Sequence, residues 1–296
     1  MRLSALIPTL CCAAALILSF LCLFAGHKAG FMEDYHLVTL NTSMIGENII
    51  NETRSTDTGN PLTDLLNGVR NYGSSAINDA IGEVTQKLGI DDFYSAHMLN
   101  YCEGQYTPAE AANATVKESD ISKNVTECSK NRAMYKFDPT AIIEEALNKT
   151  GVSVTLDDLN WPDDIETGIK TLNALMGAMF VLYCVAIALI FVALLAAAAA
   201  ILLSGRLSAC VNFLVAILAF LAIGLASALV TAVMVKATNI INDKGSEVGL
   251  EAHRGNKFLA LTWVATGLMF VVVLSWVAEF CAGRRHNRQT VYAKHG

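Results

Sequence analysis

Eight cysteines are the most reactive side chains of the sequence, and two of them stand apart from the rest. Cys102 lies in "DFYSAHMLNYCEGQY" (92–106) and Cys128 in "VTECSKNRAMYKFDP" (125–139). A cysteine in such a setting is a nucleophile, a metal ligand or half of a disulfide. A nucleophile needs a base and a group that orients the base. His97, five residues before Cys102 on a predicted strand, supplies no third member. A disulfide needs only a second cysteine and an oxidising compartment. The choice depends on which side of a membrane the segment occupies.

Other chemistry is sparse. The sequence has no Gly-rich phosphate loop, no His-Glu-x-x-His, no Gly-x-Ser-x-Gly and no Cys-x-x-Cys. Asp91-Asp92, Asp157-Asp158 and Asp163-Asp164 offer oxygens to calcium, but their spacing fits no calcium loop. A solvated acidic face is the expectation, with no metal and no cofactor. Glu144-Glu145 are neighbours on a predicted helix and face different ways, so they form no acid/base pair.

The elements that position these residues are set by a membrane. Of 296 residues 53% are hydrophobic and 16% charged, and the mean hydropathy is +0.43. Four apolar runs carry the excess: Leu3–Ala25, Leu175–Leu203, Leu207–Val235 and Phe258–Ala278. None contains Asp, Glu, Lys, Arg or His, and each has the roughly 20 residues a hydrocarbon core requires. The predicted organisation is a first transmembrane helix within 1–26, an extracellular domain at 27–171, and spans within 172–204 and 207–235. A short extracellular loop (236–257), a fourth span (258–281) and a basic cytosolic tail (282–296) follow. The first run has an alternative reading as a cleaved signal peptide. Its length exceeds an h-region of about 7–15 residues, and no small-x-small site precedes His27, so a retained span is expected.

Two signals orient the chain. Arg2, Arg206 and the tail cations Arg284, Arg285, Arg288 and Lys294 put both termini in the cytosol by the positive-inside rule. The 27–171 segment holds 23 Asp/Glu against 11 Lys/Arg. Asn-x-Ser/Thr sequons occur at Asn41, Asn51, Asn113, Asn124 and Asn148, all in that segment, whereas the asparagines from Asn173 to Asn287 form none. Sequons are used on the lumenal side. Cys102 and Cys128 then lie outside, and they are expected to pair, with metal ligation and catalysis as the alternatives. A disulfide closing such a loop is worth about 3–4 kcal/mol in the chain-entropy model. Cys281, after Glu279-Phe280 and before Ala-Gly-Arg-Arg, is a candidate for S-palmitoylation, or else an unmodified interfacial thiol.

The external segment reads as mixed α+β. "YHLVTL" and "DFYSAHMLNYC" are strand candidates. Residues 61–88 carry a helical apolar period, interrupted at Gly73-Ser74-Ser75. In "FDPTAIIEEALNKTG" Asp138 suits an N-cap, Pro139 the first helical position and Gly151 the end. An amphipathic stretch from Trp161 runs into the second span. Trp161 and Trp276 lie where interfacial aromatics sit, ordinary packing being the other reading. The fold class is therefore a four-transmembrane-helix bundle, all-α in the membrane, with a large mixed α+β extracellular loop domain between the first and second spans.

The spans argue against transport, because ion pathways generally need ionisable groups inside the membrane. Asn212, the one amide in the apolar runs, is read as an interhelical hydrogen-bonding group. Ala196–Ala200 and the Ala222, Gly224, Ala226, Ser227, Ala228 set allow close helix approach, within the bundle or in lateral assembly.

"DFYSAHMLNYCEG", "VTECSKNRAMYKFDP" and "LDDLNWPDDIETGIKTLNALMGAMFVLY" together resemble the fungal Sur/PalI family of claudin-like, four-span, cortical-patch membrane proteins. The similarity extends to the Gly255–Trp263 entry of the last span. The family's two cysteines match Cys102 and Cys128. The Trp-Gly-Leu-Trp block of animal claudins is missing. The resemblance implies a non-enzymatic organiser of eisosome-type plasma-membrane domains, influencing cell-wall synthesis, cortical actin and endocytosis, and sporulation. Its partners would be membrane lipids, copies of itself or other cortical-patch proteins, and cell-wall glycans, with no nucleic acid. A PalI-like accessory of an ambient-pH sensor is the first alternative, although the short tail favours the Sur branch. A wall-contact or adhesion receptor is the second.

Overall fold

A computed structural model of the chain describes residues 5–43, 45, 88–107, 121–150, 155–156, 159, 161, 163–202, 206–245 and 249–292. Of the helices expected over 61–88, all but Leu88 lies outside the described residues, as do the sequons Asn51 and Asn113, Gly151 and Asp157-Asp158. The chain divides into two compact units, 1–24 with 178–231 and 256–296, and 25–177 with 232–255.

Among the described residues, the helices long and apolar enough to cross a membrane are α1 (Leu6–Phe24), α3 (Asp163–Leu202), α4 (Arg206–Gly245) and α5 (Asn256–Tyr292), in agreement with the four runs of the sequence. Their buried residues follow a seven-residue period. In α3 the seam is Met179, Tyr183, Ala186, Ile190, Ala193, Ala197 and Ala200, and in α5 Phe258, Thr262, Ala265, Met269, Val272 and Trp276. In α4 Ala209, Asn212, Ala216, Ala219, Ile223, Ala226 and Val230 keep the same steps. Alternating steps of three and four hold one face against neighbours, as in left-handed helix packing. Alanine dominates the seams of α3 and α4 because, between apolar helices in lipid, association comes from close van der Waals approach. Leucines and valines off the seam, such as Leu195, Leu218 and Leu225, are exposed. Trp276 is 1% exposed, so it fills the α5 seam and is no interfacial aromatic. α1 packs along α5.

A hydroxyl cluster joins three of these helices. Tyr183 Oη of α3 meets Thr262 Oγ1 of α5. Ser227 Oγ of α4 lies 2.7 Å from Thr262 Oγ1 and 2.8 Å from Thr266 Oγ1. In lipid an unpaired hydroxyl costs several kcal/mol, while a helix–helix hydrogen bond contributes only about 0.6 kcal/mol on average. The cluster thus fixes register more than it adds stability. Asn212 departs from expectation. Its Nδ2 donates to Ser208 O at 2.9 Å, one turn back in its own helix.

The second unit contains a five-stranded antiparallel sheet. Its strands are β1 (Val38–Asn41), β2 (Phe93–Ala96), β3 (Tyr101–Thr107), β4 (Ser122–Cys128) and β5 (Glu251–Arg254), in the order β4-β3-β2-β1-β5. β1 and β2 sit centrally, and Val38, Leu40, Phe93, Tyr94 and Ala96 are all buried. Directly opposite residues share a face. One face carries the row Thr39, Ser95, Cys102, Cys128, and the other carries Leu40, Tyr94, Glu103, Glu127. The outer edge of β5 is closed by a side chain of α4. Asn242 accepts from Ala252 N at 2.6 Å and donates to Ala252 O at 3.1 Å.

Two expectations need correction. "DFYSAHMLNYC" is two strands rather than one, because the chain reverses between Ala96 and Tyr101, where His97 N donates to Asn100 O at 2.9 Å. The 236–257 segment contains the last turns of α4 and a sheet strand, β5. α2 (Pro139–Thr150) starts as expected: Asp138 Oδ1 accepts from Ala141 N at 3.2 Å, and Pro139 takes the first position. Its buried stripe is Ile142, Ile143, Ala146 and Leu147. Each large member contributes roughly 1.5–3 kcal/mol of burial.

Candidate functional site

The segment 97–104 turns almost every side chain to a separate task. Asn100 is fully buried and donates to Gly26 O at 2.9 Å, tying β3 to the turn that follows α1. Gly26 has φ +68°, and a Cβ there would stand 2.3 Å from the His97 ring. Only glycine fits both the left-handed backbone and that contact. Burial, with His36 beside it, lowers His97 to about 3, so the imidazole is neutral.

Cys102 and Cys128 are bonded and lie opposite each other in the β3–β4 register. Cys102 Sγ lies 3.4 Å from Gly26 O, a contact only, since a disulfide sulfur has no proton to donate. The bond excludes a thiolate nucleophile or metal ligand at these positions. Ser129, the next residue, completes the staple: its N donates to Tyr101 O at 2.8 Å, and its Oγ accepts from Tyr101 N at 3.1 Å. Gly104 sits at the β-bulge, where a Cβ would meet Asn124 O at 2.2 Å.

On the opposite face a cleft of about 590 Å³ lies between β3–β4, the 129–136 loop and α2. Tyr101 and Tyr135 line it, with ring centroids 6.3 Å apart. Burial pushes Tyr101 up to about 12 and Tyr135 higher, so both phenols stay protonated. Glu103 and Glu127 project into the cleft from opposite positions on adjacent strands. Burial first, then Asp91, Glu127 and Glu145, raise Glu103 to about 7, and Lys149 opposes them. Burial first, then Asp92 and Glu127, raise Asp91, and Lys149 opposes them. The Lys149 ammonium pairs with Glu145 at 3.4 Å.

The other sequence candidates are dispersed. Asn124 is exposed on β4 and Asn148 exposed on α2. Asn41 is half-buried in β1, and its Oδ1 accepts from Ser43 N at 3.2 Å and Ser43 Oγ at 2.6 Å. Cys281 is exposed at the end of the α5 span. Trp161 donates to Thr140 Oγ1 at 3.2 Å, so it packs on the start of α2. Among the described residues no group of three His, Cys, Asp or Glu could hold a metal ion. Sequence reasoning missed the tyrosine-walled cleft, whose only trace was the Tyr101–Cys102–Glu103 alternation. No curated protein sequence matches the chain. A family model, described as the SUR7/PalI family, matches residues 4–275.

Proposed function

The chain belongs to the SUR7/PalI family, and from that premise we propose that it is a non-enzymatic plasma-membrane organiser of fungal cortical patches. In this reading it supports cell-wall integrity, cortical actin and endocytosis, and sporulation. The observation that carries the reading is the family match, which runs from the first membrane helix into the fourth and takes in the stapled sheet. Both termini face the cytosol and the sheet unit faces outward, where its exposed sequons Asn124 and Asn148 accept glycans. The seams of small residues and the hydroxyl cluster support a rigid bundle. The lipid-facing surface is then the part available for lateral assembly with membrane lipids and other patch proteins.

A second reading, an accessory of an ambient-pH sensing complex, has one observation in its favour. Glu103 carries a pKa of about 7 beside Glu127, so it titrates near neutrality. Isolation of the tagged chain with its partners separates the two. Co-purification with cortical-patch core proteins supports the organiser. Recovery of a multi-span pH sensor in their place supports the accessory.

A further inference from the structure

The cleft behind the disulfide carries charge of both signs in equal measure. Its acids are Glu103, Glu127, Asp138 and Glu145. Its bases are Lys130, Arg132, Lys136 and Lys149. A polyanion would meet the four carboxylates, and a polycation the four bases. An apolar ligand would take these groups out of water without partners. A ligand that suits the lining is uncharged, with groups that both donate and accept, and with apolar faces for the Tyr101–Tyr135 wall. Vicinal hydroxyls on a sugar ring meet that description: each hydroxyl donates to a carboxylate and accepts from an ammonium, a guanidinium or a phenol. The volume, about 590 Å³, lies inside the roughly 300–1,000 Å³ range of small-molecule sites.

We propose that this cleft binds a neutral oligosaccharide, stacked on Tyr101 and Tyr135 and held by Glu103, Glu127 and Arg132. The proposal stands independently of the organiser reading. The sugar comes from one of two sources. One is an external glycan. The other is the chain's own N-glycan, because Asn148 lies seven residues after Ala141 of the cleft lining and so returns to the same side of α2.

The test is isothermal titration of the full chain in detergent micelles, before and after enzymatic removal of N-glycans. The probes are a β-1,3-linked glucose oligomer, an α-1,6-linked mannose oligomer and, as the charged control, a heparin oligosaccharide. Saturable binding of a neutral oligomer is expected, weakened at least about tenfold (about 1.4 kcal/mol) by Tyr135→Ala and by Glu127→Gln. Binding only after deglycosylation identifies the chain's own glycan as the occupant, and binding in both states identifies an external one. Glu127 and Arg132 are exposed, so Glu127→Gln and Arg132→Gln decide the matter if Tyr135→Ala does not fold. The proposal is overturned if neither neutral oligomer binds in either state, if the variants bind as well as the wild type, or if the heparin fragment binds better.

Discussion

Glu103 and Glu127 stand directly opposite each other across β3 and β4, one residue from a disulfide that projects from the other face of the sheet. Like charges at such a pair repel. Burial is the largest cause and Asp91 the next; with Glu127 and Glu145 they raise Glu103 to about 7. The folded chain therefore keeps its proton longer than the unfolded chain does. The cost is absent below the unfolded carboxylate range, near 4.3, and grows as pH rises to about 7. His97 has the opposite sign. Its pKa is lowered to about 3, so its contribution is intact above the unfolded value and is lost as pH falls below about 6.5. Glu103→Gln isolates the first effect. The variant should match the wild type near pH 4 and exceed it in thermal stability at pH 7 and above. Parallel profiles across this range would contradict the assignment.

Glycan occupancy should follow exposure. Asn124→Gln and Asn148→Gln should each remove one step of the shift seen on enzymatic deglycosylation, because both side chains are exposed. Asn41→Gln should remove none, since that amide lies in a central strand and holds Ser43. No deglycosylation shift in the wild type would overturn the outward placement of the sheet.

Loss of either half of the staple should have one consequence. Cys102→Ser and Cys128→Ser each remove the same bond, worth about 3 kcal/mol for a loop of this length. Each also leaves a stray thiol, so retention in the endoplasmic reticulum is expected for both. The double variant should be no worse than either single one, because the effects share one bond. Normal surface delivery of the single variants would count against a structural role for the bond.

The turn after α1 offers a matched pair of glycines. Gly26 and Gly30 both have positive φ, but a Cβ at Gly26 strikes the His97 ring, while one at Gly30 meets nothing within 4 Å. Gly30→Ala should cost about 1–2 kcal/mol for the left-handed backbone alone. Gly26→Ala should cost clearly more, and thermal unfolding of the two side by side measures the difference. Equal losses would remove the packing argument.

The four spans were legible because uncharged runs of this length have few other uses. So was α2, since Asp138 and Pro139 mark its start in any context. β1 and β2 showed their β-branched and aromatic content. β4 did not, because an edge strand with residues such as Lys123, Asn124 and Glu127 exposed has no apolar alternation to read. β5 is four residues long and exists by pairing with β1, a partner far away in sequence. The pairing of Cys102 with Cys128 was reachable through topology. The cleft was not, since it depends on α2 and the 129–136 loop lining the same space as Tyr101 and Glu103, and no spacing in the sequence encodes that placement.

The central claim is that the chain organises cortical patches, and the distribution and mobility of a fluorescently tagged copy in living fungal cells test it most directly. The account predicts discrete plasma-membrane patches whose fluorescence does not recover after bleaching. A uniform, freely recovering plasma-membrane signal would contradict it.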